Sequence, residues 1–129
     1  MATQFLVGTD SVHTTAAACD YLTERASAED AVTVVAVASP EDPTSRRDAE
    51  EALNVAGVRL FDVGDLETTV REGEPADELL EAASERDVDE FVIGARSGRP
   101  GATAGVGETA RAILARADRP VVVVPVPGL

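Results

Sequence analysis

Buried-strand patterns alternate with helical patterns along the chain, and this alternation constrains the fold more than any other feature. Apolar runs without polar alternation occur at Phe5–Val7, Val32–Val37, Phe91–Gly94 and Val121–Val124. Such runs are typical of strands buried on both faces. Between them, small and apolar residues recur at intervals of three and four, which predicts four amphipathic helices. The helical positions are Thr15, Ala18, Cys19, Leu22 and Ala26; Ala49, Ala52, Leu53 and Ala56; Ala76, Leu79, Leu80 and Ala83; and Ala110, Ile113, Leu114 and Ala117.

The third strand has two candidate segments, Val58–Val63 and Leu66–Arg71. We favour the second, because it leads directly into Gly73-Glu74-Pro75, a break followed by a proline suited to the first turn of a helix. Strands that alternate with helices imply right-handed crossovers and a parallel sheet. The sequence therefore predicts one α/β domain over residues 1–129, a three-layer doubly wound sheet of five parallel strands with helices on both faces.

The chain is strongly acidic, with 24 Asp and Glu against 11 basic residues and a net charge of -13. Every basic residue is an arginine. Because nucleic-acid affinity depends on cationic neutralisation of phosphates, nucleic acids and anionic membranes are not expected partners. Acidic, lysine-free composition with a normal apolar fraction favours the cytoplasm of an extreme halophile, where salt screens self-repulsion. A merely acidic protein is the alternative.

Several classes of chemistry are excluded by what the chain lacks. Without lysine, neither a Walker-type phosphate loop nor a Schiff-base enzyme can be built. Cys19 and His13 are the sole residues of their types, so neither a disulfide nor a Cys/His metal cluster can form within one chain. We expect Cys19 in the core and His13 exposed in the turn after the first strand. No export signal or membrane span is expected, and no general acid/base pair is evident.

A glycine-rich loop runs from Arg96 to Gly107 and opens the fourth helix. Glycines let backbone N–H groups approach an anion, and the helix N-terminus adds a favourable dipole, as in a phosphate cradle. The same composition also fits a mobile loop that simply crosses the sheet. Both interpretations are open on composition alone.

Four segments resemble the universal stress protein family: Phe5–Asp10, Gly73–Ala76, Val88–Gly94 and Ala117–Val124. The resemblance covers essentially the whole chain. It implies an adenine nucleotide alpha hydrolase-like domain of five parallel strands and four helices. Many members of this family bind ATP, and they commonly form dimers.

The ATP-binding members carry Gly, two residues, Gly, nine residues, Gly, then Ser or Thr, and this chain departs from that motif twice. Gly94, Ser97, Gly107 and Glu108 occupy those four positions. Ser97 replaces the middle glycine, although Gly98 follows it, and a carboxylate replaces the small hydroxyl. At a separation of about 5 Å, a carboxylate weakens phosphate binding by roughly a hundredfold at an effective dielectric near 20, before salt screening.

The candidate nucleotide-binding positions follow from the family motif and from the ends of the strands. They are Thr9, Asp10, Val37, Gly94, Arg96, Ser97, Gly98, Gly107, Glu108 and Thr109. Arg96 could offset part of the repulsion by Glu108, together with Arg99, and Thr109 could replace the missing hydroxyl if the register shifts. Asp10 fits either a ligand contact or a cap of the first helix, and Val37 fits the core better than an adenine contact.

The last strand is expected to pair with its copy in a homodimer, because an exposed apolar edge invites pairing. The interface residues would be Val121, Val122, Val123, Val124 and Val126. An edge covered by the chain's own loops is the alternative. A receiver domain is excluded because its site requires a lysine.

We expect a non-catalytic regulatory or interaction module with no bound cofactor, and a protein client is a further expected partner. The alternative function is an ATP or AMP binder, with Mg²⁺, that slowly hydrolyses or transfers phosphate. A purely structural dimeric scaffold is a third interpretation.

Overall fold

The computed structural model describes residues 2–96 and 106–127. Five strands and four helices alternate along these residues, as the sequence predicts. Their bounds are β1 Gln4–Thr9, α1 Val12–Thr23, β2 Ala31–Ala38, α2 Pro43–Arg59, β3 Asp65–Glu72, α3 Pro75–Arg86, β4 Glu90–Gly94, α4 Glu108–Arg116 and β5 Val121–Val124. All strand pairs are parallel and the sheet order is β3-β2-β1-β4-β5. The predicted fold class is therefore confirmed.

Neighbouring residues of each central strand point to opposite faces of the sheet, and both faces are covered. Leu6 packs under α3 and α4, whereas Phe5 and Val7 pack under α1 and α2. The same division separates Phe91 and Ile93 from Val92 on β4. Burial on both faces explains why these strands show no polar alternation.

The third strand is the segment we favoured, whereas Val58 belongs to α2. Other sequence predictions need correction. Ala26 lies beyond the end of α1, and Ala117 lies just beyond the end of α4. Leu114 on α4 is 50% exposed, although the spacing placed it with the buried face. His13 is exposed, as expected, but it lies within α1 and not in the preceding turn.

Cys19 is a core residue, as the sequence indicated. It is 1% exposed among the side chains between α1 and the sheet. Burial raises the pKa of its thiol to about 11, because desolvation disfavours the thiolate. A thiol in this state is a poor nucleophile at neutral pH.

Acidic residues of α3 are paired with the edge strand β3. The Arg71 guanidinium contacts carboxylates of Glu78 at 2.9 Å, Glu81 at 2.9 Å and Glu85 at 3.2 Å. The hydrogen bonds to Glu78 and Glu85 raise the pKa of Arg71 above its ordinary value. The sequence spacing alone could not show this, because the contacts join two different elements.

Within residues 2–96 and 106–127, no helix is both long enough and apolar enough to cross a membrane.

Candidate functional site

A cavity of about 550 Å³ opens at the carboxyl ends of β1, β2 and β4. It lies where the strand order reverses. From β1 the chain adds β2 and β3 on one side of the sheet, and it then adds β4 and β5 on the other side of β1. Open α/β sheets bind ligands at this switch point, because the two flanking loops diverge there and leave a crevice.

The structure brings together eight of the ten candidate positions around this one cavity. These residues are Thr9, Asp10, Val37, Gly94, Arg96, Gly107, Glu108 and Thr109. Ser97 and Gly98 lie outside the described residues. The predicted positions therefore share a site, whereas their contacts with a ligand remain predictions.

Eight further lining residues were not singled out from the sequence. They are Gly8, Thr14, Pro75, Leu79, Ile93, Val106, Ala110 and Arg111. For Arg111 there was a signal, because it follows Gly107 by four positions at the start of a helix and so lies near the same helix end. For Leu79 and Ile93 there was none, since a cavity wall and a core position look alike in sequence.

One end of the cavity is apolar. Val37, Leu79 and Ile93 are each at most 6% exposed and belong to the core cluster between the sheet and α3 and α4. Val37 is thus a core residue, as we favoured, and it also lines the cavity. A wall of this kind can bury a flat apolar group.

The turn between β1 and α1 supplies a carboxylate and a set of hydroxyl groups. Thr14 Oγ1 donates to Asp10 Oδ1 at 3.1 Å, and both residues line the cavity. The cap of α1 is Ser11, whose Oγ accepts from the backbone N–H of Thr14. Asp10 is therefore not the capping residue of α1, which leaves its carboxylate at the cavity wall.

The N-terminus of α4 forms the opposite wall. Gly107 is the N-cap and makes no side-chain capping bond, and Glu108 is the first helical residue. Its side chain is exposed. The helix dipole stabilises a carboxylate in the first turn. That carboxylate also occupies the helix end that would otherwise attract an anionic ligand.

Neither the backbone conformation nor the packing at position 107 requires a glycine. Its φ of -76° and ψ of 172° are open to any residue. A Cβ built on it would meet Arg96 Cα at 3.4 Å, an ordinary contact. Gly94 differs, because a Cβ there would lie 2.9 Å from Val126 Cγ2 and 3.0 Å from Thr14 Cγ2. Neither backbone conformation nor packing among the described residues explains the glycine at position 107, which lines the cavity.

Two arginines at the cavity are held by backbone carbonyl groups. Arg96 Nε and Nη2 donate to the Val126 oxygen at 3.1 and 2.8 Å. Arg111 Nε donates to the Val106 oxygen at 3.0 Å. The wall thus carries two cations beside the carboxylates of Asp10 and Glu108.

Four of the predicted interface valines, Val121–Val124, form the outer strand β5, and Val126 follows it. They are not all available to a partner. Val121, Val122 and Val123 are partly buried, while Val124 and Val126 are each 5% exposed. The last two side chains belong to the chain's own interior. Any pairing at their positions would use the backbone.

Several solved structures share this fold. The universal stress protein UspA from Lactobacillus plantarum has a TM-score of 0.77 and 20% identity, with 95% of this chain and 97% of that chain covered. A universal stress protein from Archaeoglobus fulgidus in complex with dAMP has a TM-score of 0.68 and 20% identity, covering 95% of this chain and 97% of that one. For a family member from Arabidopsis thaliana with AMP bound, the TM-score is 0.67 and the identity 16%, over 97% and 92% of the two chains.

No curated protein matches the sequence. The model of the universal stress protein family, in contrast, matches residues 1–125, nearly the whole chain. Together with the sheet order and the similar folds, this match identifies the chain as a member of the universal stress protein family.

Proposed function

We propose that this chain is a non-catalytic regulatory and interaction module of its family in which ATP binding is weakened. The observation that carries the proposal is the Glu108 carboxylate at the start of α4, in the cavity wall. ATP-binding members have a small hydroxyl at that motif position. A carboxylate there faces the phosphates of an entering nucleotide and repels them.

The cavity supports an adenine nucleotide as the ligand class. Its apolar end can accept a base, and the N-terminus of α4 lies at the opposite wall. Relatives with the same fold were solved with dAMP and with AMP. Two arginines at the cavity offset part of the acidic charge.

We expect Glu108 to lower the affinity for ATP by less than the hundredfold expected from the sequence, because its side chain is exposed and therefore hydrated. Salt screens such a charge over about 10 Å at 0.1 M and about 3 Å at 1 M. We therefore expect Glu108→Ser to tighten ATP binding about tenfold at 0.1 M salt, and by less in molar KCl.

Equilibrium dialysis with ATP at both salt concentrations measures this effect. The matched control is Glu51→Ser, which removes an exposed carboxylate from α2 on the other face of the sheet. A second variant, Gly107→Ala, should keep the native unfolding midpoint and lose affinity for ATP. Equal ATP affinity in the native chain and Glu108→Ser would contradict the proposal.

An ATP or AMP binder with slow hydrolysis or phosphotransfer is the second candidate. It is favoured by Gly107, which lacks a structural reason to be glycine. AMP carries less charge near Glu108 than ATP, so weak ATP binding is compatible with retained AMP binding. Release of ADP from ATP by the native chain, abolished in Gly107→Ala, would establish this candidate in place of the first.

We further infer that the module is a homodimer paired through β5, which works in a salt-rich cytoplasm. The Pro120 carbonyl oxygen accepts the N–H of Phe91 on β4, and the Val124 oxygen accepts the N–H of Ala95, which directly follows β4. Strand alternation therefore directs the N–H groups of Val121 and Val123 to the outer edge. No strand covers that edge in residues 2–96 and 106–127.

Dimer formation should strengthen with KCl, because two chains of charge -13 repel each other until salt screens them. Light scattering should give twice the mass of one chain in molar KCl and a growing share of single chains at lower salt. Val123→Pro removes an outward N–H and should favour the single chain. A single chain at high concentration in molar KCl would contradict pairing through β5.

A further inference from the structure

The guanidinium of Arg96 joins the cavity to the segment that follows β5. Both Nε and Nη2 donate to the carbonyl oxygen of Val126, at 3.1 and 2.8 Å. Arg96 also lines the cavity, and it is half-buried. We call residues 125–127 the tail.

The end of β5 and the tail lie against residues 94–96, which lie at the end of β4 and at the edge of the cavity. The Ala95 N–H donates to the Val124 oxygen at 2.8 Å, and the Gly107 N–H donates to the Ala95 oxygen at 2.7 Å. Val126 is 5% exposed, and its side chain lies against Gly94. Residues 94–96, the start of α4 and the tail therefore form one connected set of contacts.

The geometry points to Arg96 as a switch for which an anionic ligand and the tail compete. Its present acceptor is a neutral carbonyl group, whereas a phosphate carries a full negative charge and can accept two parallel bonds from one guanidinium. An anion within reach in the cavity would therefore draw the guanidinium away from Val126. The tail would then lose both bonds from Arg96.

This switch rests on the proposed function, since it needs an anionic ligand in the cavity. Its consequence lies elsewhere in the molecule, at the outer edge of the sheet. The tail directly follows β5, and Pro125 and Pro127 have no N–H to pair with another strand. Release of the tail would thus report occupancy of the cavity at the edge where a second chain is proposed to pair.

A spin label on Pro127→Cys follows the tail by electron paramagnetic resonance. Position 127 is exposed, while Cys19 is 1% exposed and escapes labelling. Without ligand, the immobilised spectral component should be present in the labelled parent and lost in Arg96→Gln. Arg111→Gln is the matched control, because Arg111 lines the same cavity but bonds to Val106 instead of the tail. If Arg96→Gln retains the immobilised component, or if both variants lose it, the bonds from Arg96 to Val126 do not hold the tail in place and the proposed switch is wrong.

The competition is tested by adding ATP to the labelled chain with Glu108→Ser, while dialysis measures bound ATP in the same samples. The immobilised component should fall in proportion to bound ATP, and Arg96→Gln should show no further change. An unchanged spectrum with ATP bound overturns the switch and leaves the proposed function intact. If Glu108→Ser binds no ATP, dialysis reveals that both proposals are wrong.

Discussion

Phe91→Ala should lower the free energy of unfolding by about 4 kcal/mol, through lost transfer energy and the cavity left behind. Phe91 is fully buried on β4, where it pairs with Leu6 on β1. It lies between the sheet and the two helices, α3 and α4, that carry walls of the candidate site. Urea denaturation in molar KCl measures the loss.

The matched control is Phe61→Ala, the same change at a position 80% exposed. That variant should stay within about 0.5 kcal/mol of the native chain. Similar losses for the two variants would contradict the assignment of Phe91 to the core.

Gly64→Ala should destabilise the fold by about 3 kcal/mol, because the backbone has to move to admit a methyl group. Gly64 immediately precedes β3. A Cβ built there would lie within 2.8 Å of the Asp30 oxygen and closer still to the Ala28 oxygen. Neither acceptor is the flexible end of a side chain.

Gly57→Ala provides the comparison within the same chain. Gly57 lies in α2, and a Cβ there would meet nothing within 4 Å. Alanine is the better helix former, so this variant should be stabilised by about 0.5 kcal/mol. Thermal unfolding of both variants compares their stabilities. An unchanged midpoint for Gly64→Ala would show that Gly64 and the loop of residues 28–30 can separate at little cost in free energy.

The structural reason for the close approach at Gly64 lies in the loop before β2. The Asp30 carboxylate accepts the backbone N–H groups of Thr3 and Ser27, each at 2.8 Å. These bonds hold the pKa of Asp30 below its ordinary value. The same residue accepts the Asp65 N–H through its backbone oxygen, which brings the start of β3 against this loop.

The order of the elements was predictable because it follows from local pattern. An unalternated run such as Val32–Val37 can be buried only if both faces of the sheet are covered. The choice of Leu66–Arg71 over Val58–Val63 was also available locally, from the break at Gly73. The ends of α1 and α4 were less accurate, since capping bonds and packing decide the last turn.

The candidate site was predictable in part. The family motif located Gly107 and Glu108, and the strand ends located Thr9 and Asp10, all of which line one cavity. The role of Arg96 was not predictable, because its acceptor Val126 lies 30 positions along the chain. The pairing of Arg71 with α3 was not predictable either, because it depends on how β3 and α3 pack against each other.

The sequence by itself determined the strand and helix pattern, the acidic charge and the family, since each is written in local spacing and residue type. Only the tertiary structure decided that Phe91 is a core residue and Phe61 is not. It also decided that Gly64 is tightly packed while Gly57 is not, and that the Val126 carbonyl group accepts the bonds from Arg96. The physical reason is that side-chain energies depend on neighbours brought close by the crossovers, and identical residues acquire different surroundings only when the sheet has assembled.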